Sequence, residues 1–429
     1  MIGLLLGSLW GCQEKLEVVG VDFVPSDFPV NFSLYTAGDW QYVAYYDTAH
    51  VMTVACRRLG SDQWDYQKLN SKVGWDSHNS IAMYVDSVGY IHICGNMHSS
   101  PMNYFKSLRP WQIHTIVRQD SMVAQEDVTT YPEFMTGPRG EVIYHYRYGR
   151  SGNGYEIYNV LDVERQTWSR LLDRPLIDGE GLRSAYMQGP VVGPDGYYHL
   201  IWVWRDNPDC SSNHTLSYAR SRDLLHWESV CGEAVDLPIT LADTILVVDP
   251  TPVKGGLINI GIKLGFDSRC QPVIGYHKYD SLGYTQLMLA RFESGQWKQV
   301  RQTQWTYRWD FKGWGTIVNE LLIDAPEVWQ QGQLRFGYHR MDIGDGQVIV
   351  DENTLLPLRE EAYVKNYPDS MDVVRSNFPG MLVYKVIGQG IASDRHHYCL
   401  RWEALSPNRD QKRDGALPAP ARLEVWRIQ

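Results

Sequence analysis

The chain has 429 residues and a formal net charge of −10, and it contains 27 Tyr, 16 Trp and 37 Gly. Charged residues make up only 21% of it, with no run of Lys or Arg. Nucleic acid is therefore excluded as a partner, because its phosphates require a basic surface. The many aromatic residues and glycines are typical of strands and turns.

The N-terminus has the pattern of a targeting segment. Residues 2–11 are apolar but too few to cross a bilayer, and Cys12 and polar residues follow at once. Leu9-Trp10-Gly11-Cys12 resembles a bacterial lipoprotein box, in which the cysteine is acylated after cleavage. We therefore expect a signal peptide over residues 1–12, export to the bacterial cell surface or periplasm, and a lipid anchor at Cys12. A plain signal peptide or a wrongly assigned start is the alternative. No later segment is apolar enough to span a membrane.

Two turn patterns alternate along the rest of the chain. One resembles a degenerate Asp-box, the turn between the outer strands of sialidase-like propeller blades, and ends in Trp; it occurs at 58–64, 163–168, 221–227 and 293–297. The other contains glycine, which suits the positive φ of a tight hairpin, and occurs at 85–90, 137–142 and 193–198. A repeat of roughly 45–70 residues predicts an all-β fold, a seven-bladed β-propeller.

The two ends of the chain are predicted to close this propeller. Residues 421–428 alternate as a strand does, and a circular array of sheets leaves an unpaired edge unless its termini share a blade. We expect the strand around residues 16–23 to complete the C-terminal blade. Because each blade needs its neighbours, residues 13–429 are predicted to form one domain.

Polar residues in the first half of the chain suggest a site. His50, His78 and His98 each follow a short β-like run, so they belong to loops that a rigid sheet holds in place. On the predicted blade map, three further residues lie on loops at the same face as these histidines: Tyr131, Arg147 and Tyr186.

These positions, with the closing stretch from Arg401 to Gly415, resemble the BNR-repeat propeller family that contains ulvan lyases and α-L-rhamnosidases acting on rhamnose linked to glucuronic acid. The resemblance covers nearly the whole chain. It implies an enzyme that processes a rhamnose- and glucuronate-containing polysaccharide and needs no cofactor for catalysis. We expect it to be a monomer.

The resemblance leaves the activity open. In the family's rhamnosidases a single histidine near the start of the propeller is the main catalytic group, and His50 is the matching position. The main prediction is thus an exo-acting α-L-rhamnosidase that removes terminal rhamnose from L-rhamnose-α-1,4-glucuronic acid caps of arabinogalactan-type plant polysaccharide. A carbohydrate-binding propeller without catalysis is a further alternative.

The other alternative is a polysaccharide lyase of the ulvan lyase kind. β-Elimination at a uronic acid needs a group that neutralises the carboxylate, a base for the C5 proton and an acid for the leaving oxygen. His78 or His98 is then the base, and Arg147 binds the carboxylate in a bidentate manner. Tyr131 serves as the acid or as the second proton-transfer group, with Tyr186 beside them.

Several other residues are candidates for binding. Asn79 and His214 could contact substrate. Trp305, Trp309 and Trp314 either stack on sugars or pack between blades. Two Cys and two His can form a closed tetrahedral zinc site, and the family's lyases imply a structural ion. The candidate structural zinc ligands are Cys270, His277, His397 and Cys399, with unconnected core thiols as the alternative.

Overall fold

Seven β-sheets make up the molecule in the computed structural model, which describes residues 17–365 and 367–428. The first strands in chain order are β1 (Val18–Val24), β2 (Ser33–Gly38), β3 (Trp40–Tyr46), β4 (Val51–Arg58), β5 (Asp65–Lys72), β6 (Ala82–Val85), β7 (Ile91–Cys94), β8 (His98–Ser100), β9 (Tyr104–Ser107), β10 (Ile116–Gln119), β11 (Thr129–Thr136), β12 (Val142–Arg150), β13 (Asn153–Asp162) and β14 (Thr167–Arg170). The middle strands are β15 (Ser184–Val192), β16 (Tyr198–Arg205), β17 (Asn213–Ser221), β18 (Trp227–Glu228), β19 (Ala234–Val235), β20 (Val247–Asp249), β21 (Ile262–Phe266), β22 (Pro272–Tyr279), β23 (Thr285–Glu293) and β24 (Gln296–Arg301). The last strands are β25 (Leu321–Ile323), β26 (Glu327–Gln330), β27 (Gln333–Arg340), β28 (Gly344–Asp351), β29 (Pro357–Ala362), β30 (Met381–Ile387), β31 (Gln389–Ala392), β32 (His397–Leu405) and β33 (Ala421–Ile428).

Helical residues in the described part of the chain form short 3-10 turns, at Ile113–Thr115, Cys210–Ser212, Thr244–Leu246, Asn259–Gly261 and Asp369–Met371. Over the same residues no helix has the length and apolar character needed to cross a bilayer. The predicted signal peptide over residues 1–12, with Cys12, lies outside the described residues.

Each sheet forms one propeller blade of four main antiparallel strands. From the inner to the outer strand, the blades are β2-β3-β4-β5, β6-β7-β9-β10, β11-β12-β13-β14, β15-β16-β17-β18, β21-β22-β23-β24, β25-β27-β28-β29 and β30-β32-β33-β1. Apolar side chains fill the spaces between the sheets, and the largest of them, such as Trp202, Trp204 and Trp402, are almost completely buried. The predicted all-β, seven-bladed propeller is confirmed.

The seventh blade is closed by both ends of the chain. Strand β1 pairs antiparallel with β33, with Val18 opposite Trp426 and Val24 opposite Ala421. Strand β31 adds a parallel pairing with β2, so the seventh blade is also hydrogen-bonded to the first. The prediction that the terminal strands share a blade is confirmed.

The predicted turns also lie where the sequence placed them. The Trp-containing pattern joins the two outer strands of a blade, as between β4 and β5, and the Gly-containing pattern joins the two inner strands, as between β6 and β7. In the latter turn the Asp86 carboxylate accepts hydrogen bonds from the backbone N–H groups of Val88, Gly89 and Tyr90. Gly89 has φ +104°, and a Cβ there would lie 2.2 Å from the Trp111 ring, so only glycine fits.

Strand direction determines which loops share an end of the propeller. Successive strands of an antiparallel blade alternate in direction, so loops between the second and third strands open on the same end as loops that enter the next blade. The loop from β3 to β4 carries His50, the loop from β5 to β6 carries His78, and the segment after β7 carries His98. The three histidines therefore lie at one end, as predicted.

Candidate active site

A single carboxylate organises two of the predicted histidines. Asp76 Oδ1 accepts hydrogen bonds from the backbone N–H of His78 at 2.9 Å and from its Nδ1 at 2.8 Å. Asp76 Oδ2 lies 2.5 Å from Nδ1 of His98, and the two imidazole rings stack with centroids 4.1 Å apart. Both Nδ1 atoms face a carboxylate oxygen, so each Nε2 is left for substrate. Sequence reasoning missed Asp76, although an aspartate two residues before His78 is the pattern of a side-chain-capped turn.

A second carboxylate stabilises the protonated, positively charged form of His78. Asp410, in the loop from β32 to β33, lies 3.3 Å from Nδ1 of His78 and is held by the backbone N–H of Thr316 and of Ser77. Burial disfavours the imidazolium, but Asp410 and Asp76 outweigh this effect and raise the pKa of His78 to about 9. His78 is thus a cation at neutral pH, which does not suit the predicted role of base.

Two guanidinium groups surround Tyr186. Its hydroxyl accepts a hydrogen bond from Nη1 of Arg147 at 3.1 Å and contacts Oγ of Ser151 at 2.6 Å. The guanidinium of Arg205 lies 3.9 Å from the centre of the tyrosine ring. Burial opposes ionisation of the phenol, but the charges of Arg205 and Arg147 prevail and lower the pKa of Tyr186 to about 8.

Tyr131 lies beside Tyr186 but keeps its proton. The two ring centroids are 6.1 Å apart. Burial and the neighbouring Tyr186 raise the pKa of Tyr131 well above its usual value. Tyr131 has φ +57° at an irregularity of β11 between Thr130 and Glu133, and such backbone strain in a residue other than glycine is concentrated at functional sites.

Arg147 does not lie where the carboxylate-binding prediction requires. It is 1% exposed, and its two terminal nitrogens donate to Tyr186 and to Oγ1 of Thr130. The Tyr131 ring packs over the guanidinium, with its centre 4.9 Å from it. Both terminal nitrogens of Arg147 therefore bind other protein groups, and the residue is not a bidentate clamp for a substrate carboxylate.

His50 is part of an aromatic contact at the same end. Its ring centroid lies 5.5 Å from that of Phe28 and 5.7 Å from that of Trp75. Within the described residues no hydrogen bond reaches its imidazole. The structure thus shows a packing role and no proton-transfer partner for the residue on which the rhamnosidase prediction depends.

The other two predicted substrate-binding residues, Asn79 and His214, both make hydrogen bonds within the protein. Asn79 is buried, and its backbone oxygen accepts a hydrogen bond from the Tyr46 hydroxyl at 2.7 Å. Both ring nitrogens of His214 are paired, Nδ1 with Oγ1 of Thr215 at 2.9 Å and Nε2 with Oδ1 of Asp206 at 3.0 Å. The paired ring nitrogens of His214 indicate a structural role, whereas substrate contact by the Asn79 side chain stays a prediction.

The four predicted zinc ligands do not form a site. Cys270 and His277 belong to the fifth blade, whereas His397 and Cys399 lie on β32 of the seventh. His277 is fully buried against Trp309, and burial lowers its pKa to about 4. The zinc prediction is wrong because alternation along a strand shows which face a residue lies on, not which blade lies next to it.

One group in the described residues has the composition of a metal site. Ligand atoms of Asp76, His78 and His98 lie within 4.8 Å of one another. In the structure Nδ1 of each histidine hydrogen-bonds to the Asp76 carboxylate. The raised pKa of His78 favours the imidazolium, which does not bind a metal ion.

The tryptophan-rich stretch divides into buried and exposed parts. Trp309 is 2% exposed and packs in the core, whereas Trp314 is 73% exposed. Trp314 lies two residues before Thr316, whose backbone N–H holds Asp410. The stretch therefore contributes to core packing at Trp309, whereas sugar stacking by the exposed Trp314 ring stays a prediction.

A cavity of about 170 Å³ adjoins the tyrosine pair between the third and fourth blades. Tyr131 and Tyr186 form part of its wall. The remaining lining residues are Glu133, His145, Glu156, Ala185, Met187, Gln188, Gly189 and Asn259. An aromatic wall with a few convergent polar groups is the usual form of a small-molecule site.

Comparison with known proteins assigns the chain to a family. The profile described as "BNR repeat-containing family member" matches residues 40–305, more than half of the chain. The chain belongs to the BNR repeat-containing family. The match runs from the first blade to the segment after the fifth, so it includes His50, His78, His98, Tyr131 and Tyr186.

Relatives of this BNR-repeat chain include polysaccharide lyases. It is 24% identical over 144 residues to "Ulvan lyase, short isoform" from Alteromonas sp. (strain LOR), an alignment that covers 28% of this chain and 25% of the relative. Over 96% of this chain and 99% of the other, its fold is similar to that of the polysaccharide lyase Uly1, with a TM-score of 0.65 and 14% identity. A PL25 ulvan lyase bound to -[GlcA(1-4)Rha3S]- gives a TM-score of 0.60 at 13% identity and 96% coverage of both chains. These likenesses show a shared propeller fold.

Proposed function

We propose that this protein is a polysaccharide lyase that cleaves the glycosidic bond next to a uronic acid by β-elimination. The observation that carries the proposal is the adjacent pair Tyr131 and Tyr186, 6.1 Å apart between ring centroids, with the Tyr131 ring also next to that of His78. Arg147 and Arg205 contact Tyr186, and this arrangement shifts the pKa values of the two tyrosines in opposite directions. Such a divergence separates the roles of base and acid. The named relatives support this reading, since they are lyases. They give no support to the rhamnosidase that the sequence favoured.

In the proposed reaction, the Tyr186 phenolate removes the proton at C5 of the uronate. The electron pair of that C–H bond forms the C4=C5 double bond, and the bond between C4 and the leaving oxygen breaks. Tyr131, which remains protonated, donates its proton to that oxygen. The products are an unsaturated uronate and a sugar with a free hydroxyl, and no water is consumed.

The C5 proton becomes acidic enough only if the neighbouring carboxylate is neutralised. His78 is the proposed neutralising group, because its imidazolium carries a positive charge and its Nε2–H is available for substrate. His98 lies against it through the stacked rings and provides the second Nε2. Arg147 and Arg205 are positioning residues, since they stabilise the Tyr186 phenolate.

The proposed substrate is a polysaccharide that contains glucuronate and rhamnose. The oligosaccharide in the PL25 relative, -[GlcA(1-4)Rha3S]-, supports this choice, as does the exposed Trp314 ring at the same end of the propeller. Aromatic rings of this kind offer a flat apolar surface to a sugar.

Product analysis tests the proposal. With a glucuronate–rhamnose polymer as substrate, we expect the ultraviolet absorbance of an unsaturated uronate and no free rhamnose. The Tyr186→Phe variant, which keeps the ring and removes the base, should lose ~10²–10⁴ in rate. Tyr90→Phe serves as the control, since Tyr90 is partly exposed in the turn from β6 to β7, at the other end of the propeller.

Two outcomes would contradict the proposal. Release of rhamnose without an unsaturated product would indicate hydrolysis, and binding of the polymer without any product would indicate a carbohydrate-binding propeller. An active Tyr186→Phe protein would exclude this tyrosine as the base.

A further inference from the structure

The cavity between the third and fourth blades contains ionisable groups that the proposed reaction does not use. Beyond the wall formed by Tyr131 and Tyr186, its polar lining includes Glu133, His145 and Glu156. These three residues lie on the three inner strands of the third blade, one on each of β11, β12 and β13. The sheet therefore fixes their positions.

Glu156 is an unusual residue for the inside of a sheet. It is 5% exposed, and its cross-strand partner on β12 is Arg147. Among the described residues no hydrogen bond reaches its carboxyl group, yet the group lines the cavity. Burial raises the pKa of Glu156 to about 7. A buried carboxyl group without a protein partner costs free energy unless a ligand or water provides one.

Glu133 places a second carboxylate at the cavity. Its side chain is 62% exposed, and its Oε2 lies 3.2 Å from Nε2 of His145. The His145 ring in turn stacks on that of Tyr158, with centroids 4.8 Å apart. The position of the imidazole is thus fixed, and with it the position of the Glu133 carboxylate.

Carboxylates accept hydrogen bonds, so this lining suits a partner that donates them. The hydroxyl groups of a sugar are such donors, and the tyrosine rings with Ala185 and Met187 provide apolar contact for the sugar ring. A sulfate ester has no proton to donate and carries a permanent negative charge. Above pH 7, where Glu156 is mainly ionised, two carboxylates would therefore repel it in a site that is partly shielded from water.

We propose that this cavity is the subsite for a neutral sugar next to the uronate, and that Glu133 and Glu156 exclude a sulfate ester from it. The inference rests on the proposed function, because the tyrosines that line the cavity are the groups assigned to act on the uronate. It gives this protein an unsulfated substrate, in contrast to the sulfated rhamnose in the sugar bound by the PL25 relative.

The test compares two oligosaccharides with the same glucuronate–rhamnose backbone, one sulfated on rhamnose and one chemically desulfated. Calorimetry at pH 8, where Glu156 is mainly ionised, measures their affinities for the Tyr186→Phe protein without turnover. We expect the desulfated form to bind at least about tenfold more tightly, and Glu133→Gln or Glu156→Gln to reduce that ratio by weakening the repulsion. Substitution of Glu133 carries the smaller risk of unfolding the protein, since its side chain is 62% exposed. Glu180→Gln is the matched control, because Glu180 is exposed in the loop from β14 to β15 and does not line the cavity.

Equal affinity for the two oligosaccharides, tighter binding of the sulfated one, or no binding of either would overturn the inference. A preference that neither Glu133→Gln nor Glu156→Gln changes would also overturn it. Elimination by the wild-type protein is recorded separately. A lyase that shows no discrimination contradicts the subsite alone, whereas discrimination in binding without any unsaturated product contradicts the proposed function alone.

Discussion

Tyr186 and Tyr131 carry the same phenol, and their neighbours give them different chemistry. Two guanidinium groups, from Arg147 and Arg205, stabilise the negative charge of a Tyr186 phenolate. Tyr131 is shielded from water, and a phenolate there would be repelled by the Tyr186 phenolate, so Tyr131 holds its proton more tightly. Attraction to the two guanidinium groups lowers the pKa of Tyr186, whereas desolvation is the main cause of the raised pKa of Tyr131.

The same charges predict the pH dependence of elimination. The reaction needs ionised Tyr186 and protonated His78, so kcat/KM should rise as the pH passes about 8 and fall as it passes about 9. Arg205→Gln removes a positive charge and should move the rising limb to higher pH. Asp410→Asn removes one of the carboxylates that raise the pKa of His78 and should move the falling limb to lower pH.

Initial rates across this range measure both limbs. Asp62→Asn is a suitable control, because Asp62 is exposed in the turn from β4 to β5, at the other end of the propeller. If Arg205→Gln leaves the rising limb in place, that limb does not report Tyr186. If Asp410→Asn leaves the falling limb in place, His78 is not the second group.

At the scale of elements, the segment from residue 310 to 318 shows how a loop can be held rigidly at the rim of the site. The backbone N–H of Gly313 donates to Oδ1 of Asp209 at 2.8 Å, and Nη1 of Arg409 donates to the backbone oxygen of Trp314 at 2.7 Å. Gly315 has φ +69°, and a Cβ there would lie 2.9 Å from the Arg409 backbone oxygen. The loop is thus fixed with its tryptophan ring exposed.

A fixed, exposed ring beside the site should bind a sugar of the polymer. Trp314→Ala should raise KM about fivefold, which corresponds to a stacking contact of about 1 kcal/mol, and should change kcat little. Leu282→Ala is the control, since Leu282 is 78% exposed in a loop at the same end. Steady-state kinetics on long and short substrates measure the effect. An unchanged KM on the long polymer would show that Trp314 does not contact it.

At the scale of the whole molecule, the ring of blades depends on one strand from the N-terminal part of the chain. Strand β1 buries Val19 and Val21 against the seventh blade and also contacts the first. The Tyr45 hydroxyl donates to Asp22, and the Tyr66 hydroxyl donates to the backbone oxygen of Val21. This strand therefore connects the two blades at which the propeller closes.

Removal of residues 18–24 should expose the edge of β33 and the core beneath it. We expect a large loss of thermal stability and aggregation through the open edge, because an unpaired strand is a template for pairing with another chain. Phe23→Thr is the control, as Phe23 is half exposed on the same strand. Thermal unfolding followed by light scattering measures both effects. A truncated protein that melts as the wild type does would show that β1 is dispensable for closure.

Much of the candidate site was recognisable in the sequence, but its assignments were not. His78, His98, Tyr131 and Tyr186 were each predicted, and the structure brings them together. Which of them carries a proton depends on Asp410, Arg205 and other groups contributed by distant parts of the chain. Local patterns contain no information about those neighbours, which is why His78 was predicted as a base and Arg147 as a clamp.

The sequence by itself determined the all-β class, the number of blades, the positions of the hairpin turns and the closure by the terminal strands. These features depend on alternation, turn residues and repeat length, which are local properties of the chain. Only the tertiary structure decided that Asp410 lies against His78, that Arg205 lies on Tyr186, and that Cys270 and Cys399 belong to different blades. The physical reason is that charge and desolvation act through space, and the blades bring together residues that are far apart in sequence.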